Sequence, residues 1–551
     1  MLSKRTLALV LAAALLVTGC AGSRKATEKP AVTPAPKSQG QQMGEAAAPR
    51  PPAQDAAKSS TQSGAPGSTS TASGSRQGEP KAMASAPAGV KAPPAWHELP
   101  PPTPPTDMYF QDYGENPLIN TAKRPTSTFS VDVDTASFTL ARNYLERGQL
   151  PPAEAIRAEE FINYFPQGYP RSHEAVAVYI EGAPSPFRPG MHLIEIGLQA
   201  RQVKAYQRKH AVLTFVIDVS GSMNMENRLG LVKRSLHLLL DQLESDDQVG
   251  IVIYASQADA LLEPTSDKEK IRRAIDRLQP GGSTYAEEGI RLGYEMAWRN
   301  FQKGAINRVL LLSDGVANVG RTGPEEILRQ VEDYREKGIY LTTVGFGMGN
   351  YNDVLMEQLA NKGDGQYAYV DDLDEARRVF VEQLTGTLQV VAKDTKVQVH
   401  FDPEQVAGYR LVGYENRVMA NQDFRNDKAD AGEMGSGQSV TALYEVQLTG
   451  KGSHLGSVSI RYKEPESGKV VEKAVDIRRS AVFSTPSAHL LWTASVAEFA
   501  AVLGRSPWAA ETTIVDVWKA AQRATADLGH PENHQALLAM IDRARELGVG
   551  R

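Results

Sequence analysis

Between residues 211 and 388 the chain alternates two hydrophobic periods. Residues 211–218 (AVLTFVID) form an almost unbroken apolar, β-branched run, which predicts a buried strand. Leu229, Val232, Leu236, Leu239 and Leu243 then recur on one helical face. The pattern continues as strand 248–254, helices 268–278 and 286–301, strand 308–312, helix 325–337, strand 339–344, helix 353–361, strand 366–369 and helix 373–384. Strands alternating with helices in this way predict an α/β fold with a doubly wound, mainly parallel sheet.

The flanks follow other periods. Ahead of this run lie a predicted strand at 127–133, helices at 138–147 and 152–164, and strands at 176–181 and 192–198. After it come strands at 388–392, 396–401, 409–414, 439–448, 456–462 and 470–477, two of them with clear two-residue alternation. The strands on either side are expected to pair, so that the α/β unit is inserted in a β-rich domain, which is geometrically easy when domain termini lie close together. From 488 onward the pattern is helical, with Trp492, Trp508 and Trp518 as expected core anchors. The expected boundaries are 1–19 leader, 20–107 disordered tether, 108–205 N-terminal associated region, 206–387 α/β domain, 388–484 β-rich domain and 485–551 helical segment.

The first hundred residues change the picture. Lys4 and Arg5 precede an apolar stretch at 7–17 that is too short to span a bilayer comfortably, so it predicts a secretory leader. Residues 16–20 (LVTGC) resemble the bacterial lipobox, which implies cleavage before Cys20 and its lipidation. In a Gram-negative cell, Ala21 fits outer-membrane sorting. Residues 21–106 carry almost no large apolar side chains and are expected to be disordered, with a reach of roughly 50 Å. Cys20 is the only cysteine of 551 residues, so no intrachain disulfide forms. The net charge of −5 gives no electrostatic reason to expect a nucleic-acid partner.

Candidate chemistry sits at strand ends. Asp218, Ser220 and Ser222 follow the first strand, Thr284 lies in a Gly-Gly-Ser-Thr loop before a helix, and Asp314 follows the strand at 308–312. Ligands in open α/β sheets bind at the carboxyl ends of strands. Five oxygen-bearing side chains without His or Cys point to a hard divalent cation, Mg²⁺ or else Mn²⁺ or Ca²⁺. Two carboxylates leave room for water or an external carboxylate. Asp132 with Asp134 is expected to form a structural turn and not a calcium loop. Asp423, Asp427, Asp430 and Glu433 lack EF-hand order and are expected to form a solvated turn. His530, His534 and Asp542 form no metal pattern.

D-x-S-x-S after an apolar strand, the Gly-Gly-Ser-Thr turn and the Ser-Asp-Gly strand end resemble the von Willebrand factor type A (VWA, Rossmann-like) domain and its metal-ion-dependent adhesion site. The resemblance implies that the serines and threonine ligate the metal directly or through water. The aspartates would act directly or from behind. The flanking sequences FINYFP, GYENR and DFRNDKADAGEMGSG are similar to bacterial YfbK-like lipoproteins with this domain. The resemblance implies a lipid-anchored cell-envelope protein that docks a protein partner presenting Glu or Asp to the metal. Two alternatives are a structural envelope protein with a silent site and a metal-assisted hydrolase. A non-enzyme is expected: the second Asp that a haloacid-dehalogenase-like phosphatase needs is replaced by Ser220, and no G-x-S-x-G, Walker loop, zinc signature or Cys nucleophile is present.

Overall fold

The computed structural model describes residues 108–550 apart from 226–227, 316–323, 350 and 529–530. The expected leader, Cys20 and the expected tether lie outside the described residues. The described part belongs to one compact unit.

The chain begins with strands β1 (Ile119–Asn120) and β2 (Thr126–Ser130), helices α1 (Ala136–Glu146) and α2 (Ala158–Tyr164), and strands β3 (Val176–Pro184) and β4 (His192–Ala200). The α/β run is β5 (Ala211–Asp218), α3 (Leu229–Gln242), β6 (Gln248–Tyr254), β7 (Ala258–Thr265), α4 (Lys268–Asp276), α5 (Ala286–Arg299), β8 (Ile306–Ser313), α6 (Pro324–Glu336), β9 (Ile339–Phe346), α7 (Asp353–Lys362) and β10 (Tyr367–Val370). Short helices α8 (Leu373–Arg377) and α9 (Leu384–Leu388) lead to β11 (Val390–Phe401), β12 (Val406–Val412), β13 (Met434–Gly435), β14 (Ser439–Leu448), β15 (His454–Lys463) and β16 (Val470–Arg478). Helices α10 (Ala488–Leu503), α11 (Ile514–Leu528) and α12 (Pro531–Glu546) close the chain.

Six strands form the doubly wound sheet in the order β10-β9-β8-β5-β6-β7, parallel except where β7 runs antiparallel to β6. Every residue of β5 and β8 is buried, which is why both carry apolar runs without alternation, 211–217 and 309–312, although β8 also buries Asn307 and Arg308. One face packs on α3 and α4 through Leu236, Leu239 and Ile275; the other packs on α5 to α7 through Ile290, Val331 and Leu355.

The flanking strands pair across the α/β unit. β4 pairs with β14 along its length and β2 with β11, giving the sheets β1-β12-β14-β4-β3 and β13-β11-β15-β16. Their inner faces share a core that includes Phe129, Ile196, Val399 and Tyr444. Helix α1 joins the two halves with opposite faces: Ala136, Leu140 and Tyr144 meet the α/β core, while Phe138, Ala141 and Leu145 meet the C-terminal helices. Trp492 and Trp518 belong to that helical core, whereas Trp508 stacks under Arg410, 4.6 Å from the guanidinium carbon to the ring centre.

Several local expectations are corrected. The edge strand β7 has mostly exposed or half-buried residues and so carries no hydrophobic signature. The helix expected at 373–384 is broken by a π-helical turn at Arg378–Glu382, and the strand expected at 388–392 starts only at Val390. It then runs into the next as one strand with a register shift near Asp394, whose φ is +49°. The strand expected at 127–133 stops at Ser130 because the Asp134 N–H turns back to Asp132 Oδ1 at 2.9 Å. The acidic loop is tied down and not simply solvated: Asp427 pairs with Arg461 at 2.8 Å, Asp430 with Arg335 at 2.9 Å, and Glu433 is buried.

Candidate functional site

The sheet reverses its strand order around β5 and β8: the chain leaves β5 towards β6 on one side, and β8 continues to β9 on the other. A crevice opens where helices depart to opposite faces from the carboxyl ends of such neighbours. Asp218 ends β5 and Asp314 follows β8, so register alone brings the two carboxylates together. Apolar strands bury both: Asp218 is 0% and Asp314 4% exposed.

Hydrogen bonds fix four of the five candidates, Asp218, Ser220, Ser222 and Asp314, around one point. Asp218 accepts the Ser220 N–H at 2.8 Å on Oδ1 and the Ser313 hydroxyl at 3.0 Å on Oδ2. The Ser220 and Ser222 hydroxyls lie 3.0 Å apart, and Ser222 donates to Asp314 Oδ1 at 3.1 Å. Thr284 reaches the same edge through its loop: Gly221 donates to the Gly282 carbonyl at 2.9 Å and Gly281 to the Val219 carbonyl at 2.7 Å. No hydrogen bond joins the half-buried Thr284 hydroxyl to the other four side chains.

Arg228 also belongs to this site, although no motif in the sequence marks it. This residue sits just before α3, pairs with Asp314 Oδ2, donates to the Met348 carbonyl, and donates to the Ser222 carbonyl at 3.0 Å. The loop after β9 makes room for it. Gly347, at φ +73°, would place a Cβ 2.5 Å from Arg228 Nε, and Gly349 would place one 3.0 Å from Nη2. Two glycines four and two residues after Gly345 are a visible signal, but nothing local says that an arginine 120 positions earlier fills the space they leave.

The electrostatics are those of a crowded anionic site. Burial, and after it the Asp314 charge, pushes the Asp218 carboxyl up to about 6. Burial also raises Asp314, while Arg228 and the Ser222 hydroxyl act in the lowering direction. The donor set is all oxygen, with two carboxylates behind and hydroxyls in front, which fits a hard divalent cation. Arg228 already supplies a positive charge to Asp314. Among the described residues, no cluster of three or more His, Cys, Asp or Glu is arranged to hold a metal, so a cation here depends on the hydroxyls.

This fold and this strand-end geometry define a von Willebrand factor type A domain, and residues 213–399 match the family of that description; residues 104–195 match one described as von Willebrand factor. Residues 386–457 and 449–547 match the family "Uncharacterized protein YfbK, C-terminal". Over 458 residues the chain is 35% identical to "Uncharacterized protein YfbK" of Escherichia coli (strain K12), covering 78% of this chain and 79% of that one. The chain belongs to the YfbK family of type A domain proteins. It is also 26% identical over 262 residues to inter-alpha-trypsin inhibitor heavy chain H3 of Mesocricetus auratus, covering 43% of this chain and 28% of that one. Among solved structures, von Willebrand factor type A from Catenulispora acidiphila aligns with a TM-score of 0.41 at 16% identity, covering 69% of this chain and 91% of that chain.

Proposed function

We propose that the protein is a docking module of the bacterial cell envelope, held to a membrane through a lipidated Cys20. Its type A domain would bind Mg²⁺ or a similar ion through Asp218, Ser220, Ser222, Thr284 and Asp314. The ion would supply an open coordination position for a Glu or Asp carboxylate of a protein partner. One observation carries the reading: the chain Asp218–Ser220–Ser222–Asp314 is already closed by hydrogen bonds at the carboxyl edge of the sheet. Asp218 has both oxygens engaged by protein donors, the Ser220 N–H and the Ser313 hydroxyl, so the ion would rest mainly on Ser220, Ser222 and Thr284. Among the described residues neither serine hydroxyl has a histidine partner, and the Asp314 carboxylate that accepts from Ser222 is already paired with Arg228, which supports docking over hydrolysis. In a chain of YfbK type, the leader-like residues 1–20 support the anchor.

Calorimetry of Mg²⁺ binding to wild type and Asp218→Ala tests the metal; equal heats from both would overturn it. Partner capture from envelope extract in Mg²⁺ and in EDTA, with wild type and Ser220→Ala, tests the docking role. The same proteins recovered in all four conditions would count against a metal-bridged contact. Loss of labelled-palmitate incorporation in Cys20→Ser tests the anchor.

A further inference from the structure

A second site lies away from the type A crevice, between α10, the first turn of α2, strands β12 and β14, and the extended segment 111–115. It is a cavity of about 320 Å³, the size of a small-molecule pocket. Its apolar wall includes Ile156, Leu443 and four alanines of α10, Ala494, Ala497, Ala500 and Ala501. These alanines recur on one helical face, so the space exists because no side chain there is long enough to fill it.

Its polar lining is unusual because both signs are left incompletely used. Arg157 pairs with Asp353 at 2.8 Å and with Glu160, yet its Nη2 has no hydrogen-bond partner. Arg188 pairs with Glu445 at 2.6 Å and Glu498 at 2.9 Å, and its Nη2 is likewise unpaired. On the acceptor side, Glu159 is 1% exposed and its Oε2 has no partner, as is true of Asn416 Oδ1. Among the described residues, no Lys, Arg or His forms an ion pair with Glu159 or Glu415. Burial, and then the neighbouring Glu415 charge, hold the Glu159 carboxyl well above the usual carboxylate range. Buried polar atoms are nearly always satisfied, by protein, by water or by a ligand.

We propose that this cavity binds a small zwitterion of amino-acid or dipeptide size. Its carboxylate is taken by Arg157 and Arg188, its ammonium by Glu159 with Asn416, and its apolar side chain by the alanine face of α10. A metal ion fits less well, because a hard cation wants six or more oxygens and half this wall is apolar. The two arginines, each anchored by two carboxylates, are held in place before any ligand arrives, which keeps the cost of ordering low.

The test is calorimetry on the full chain in EDTA, which separates it from the metal reading. The probes are L-phenylalanine and the dipeptide alanyl-leucine, with phenethylamine and 3-phenylpropionate as analogues that each lack one charge. At least one zwitterion is expected to bind, with each single-charge analogue about tenfold weaker or more. Glu159→Gln should weaken binding by a similar factor, and Ala501→Leu, which fills the cavity, should abolish it. Absence of heat from both zwitterions, equal binding of the single-charge analogues, or wild-type binding by a folded Ala501→Leu protein would overturn the proposal. Far-UV circular dichroism establishes that each variant is folded, and Ala501→Leu decides the matter if Glu159→Gln is not.

Discussion

Arg228 and Ser222 meet on one carboxylate: the guanidinium pairs with Oδ2 of Asp314, and the hydroxyl donates to Oδ1 at 3.1 Å. The side chain that closes the candidate metal site is therefore itself held by a cation of the protein. Any divalent ion at this edge shares Asp314 with Arg228.

Removing that cation should separate stability from metal affinity. Arg228→Met leaves Asp314 buried without a counter-charge, at a cost of about 3 kcal/mol or more in EDTA. The same change should strengthen Mg²⁺ binding several-fold, so Mg²⁺ should raise the Tm of the variant more than that of wild type. Thermal melts of both proteins with and without Mg²⁺ check this. An equal Mg²⁺ shift in the two would show that Arg228 does not compete with the ion.

Gly347 should be intolerant of a side chain for two reasons at once. Its φ of +73° disfavours any Cβ, and that Cβ would lie 2.5 Å from Arg228 Nε. Gly347→Ala is expected to lose about 1–3 kcal/mol by urea denaturation. Gly304→Ala, also at positive φ (+87°) but with open space around its Cβ, should lose less, and the difference reports the contact.

Arg417 ties three segments by itself. It reaches Asp132 at 2.9 Å, Asp134 at 3.1 Å and Glu357 of α7 at 3.5 Å, all of them buried. Arg417→Met strands three carboxylates and should cost about 3–5 kcal/mol. Lysine, a point charge without the planar fork, should restore only part of this. Chemical denaturation of the two variants measures the difference.

The same region predicts a pH dependence. Burial pushes the Glu160 carboxyl up to about 7, against the lowering effect of Arg157 and with Asp132 and Glu357 raising it further. A raised folded pKa means that the folded chain holds a proton the unfolded chain has released. This group's contribution is complete below the ordinary glutamate pKa of 4.5 and is lost as pH rises to about 7. Glu160→Gln keeps the shape without the titration, so its stability should fall less than that of wild type between pH 5 and 7 in urea melts.

How much was legible in the sequence depended on the range of the forces involved. The parallel sheet was visible because strands covered on both faces lose the polar alternation, as the largely apolar runs 211–217 of β5 and 309–312 of β8 do. The edge strand β7 was not, since an edge that faces water imposes no pattern. Of the five candidate residues, Asp218, Ser220 and Ser222 share one turn, and Thr284 and Asp314 each sit in a recognisable loop. What joins them is the adjacency of β5 to β8 and of the 281–282 loop to the 219–221 turn. Arg228 could not be picked out, because one arginine before a helix looks like any solvated charge until the Gly347 loop closes over it.

The sequence by itself determined the alternation of strands and helices and the oxygen-rich strand ends, because each is written in near neighbours along the chain. Tertiary structure decided that β2 to β4 pair with β11 to β16 around the type A unit, and that α1 serves two cores. It also decided which buried charges face one another at Asp314, Arg417 and the cavity lined by Glu159. Most of these are contacts between residues tens to hundreds of positions apart. Whether a buried charge meets an opposite charge, a like charge or none is set by packing, which local spacing does not encode.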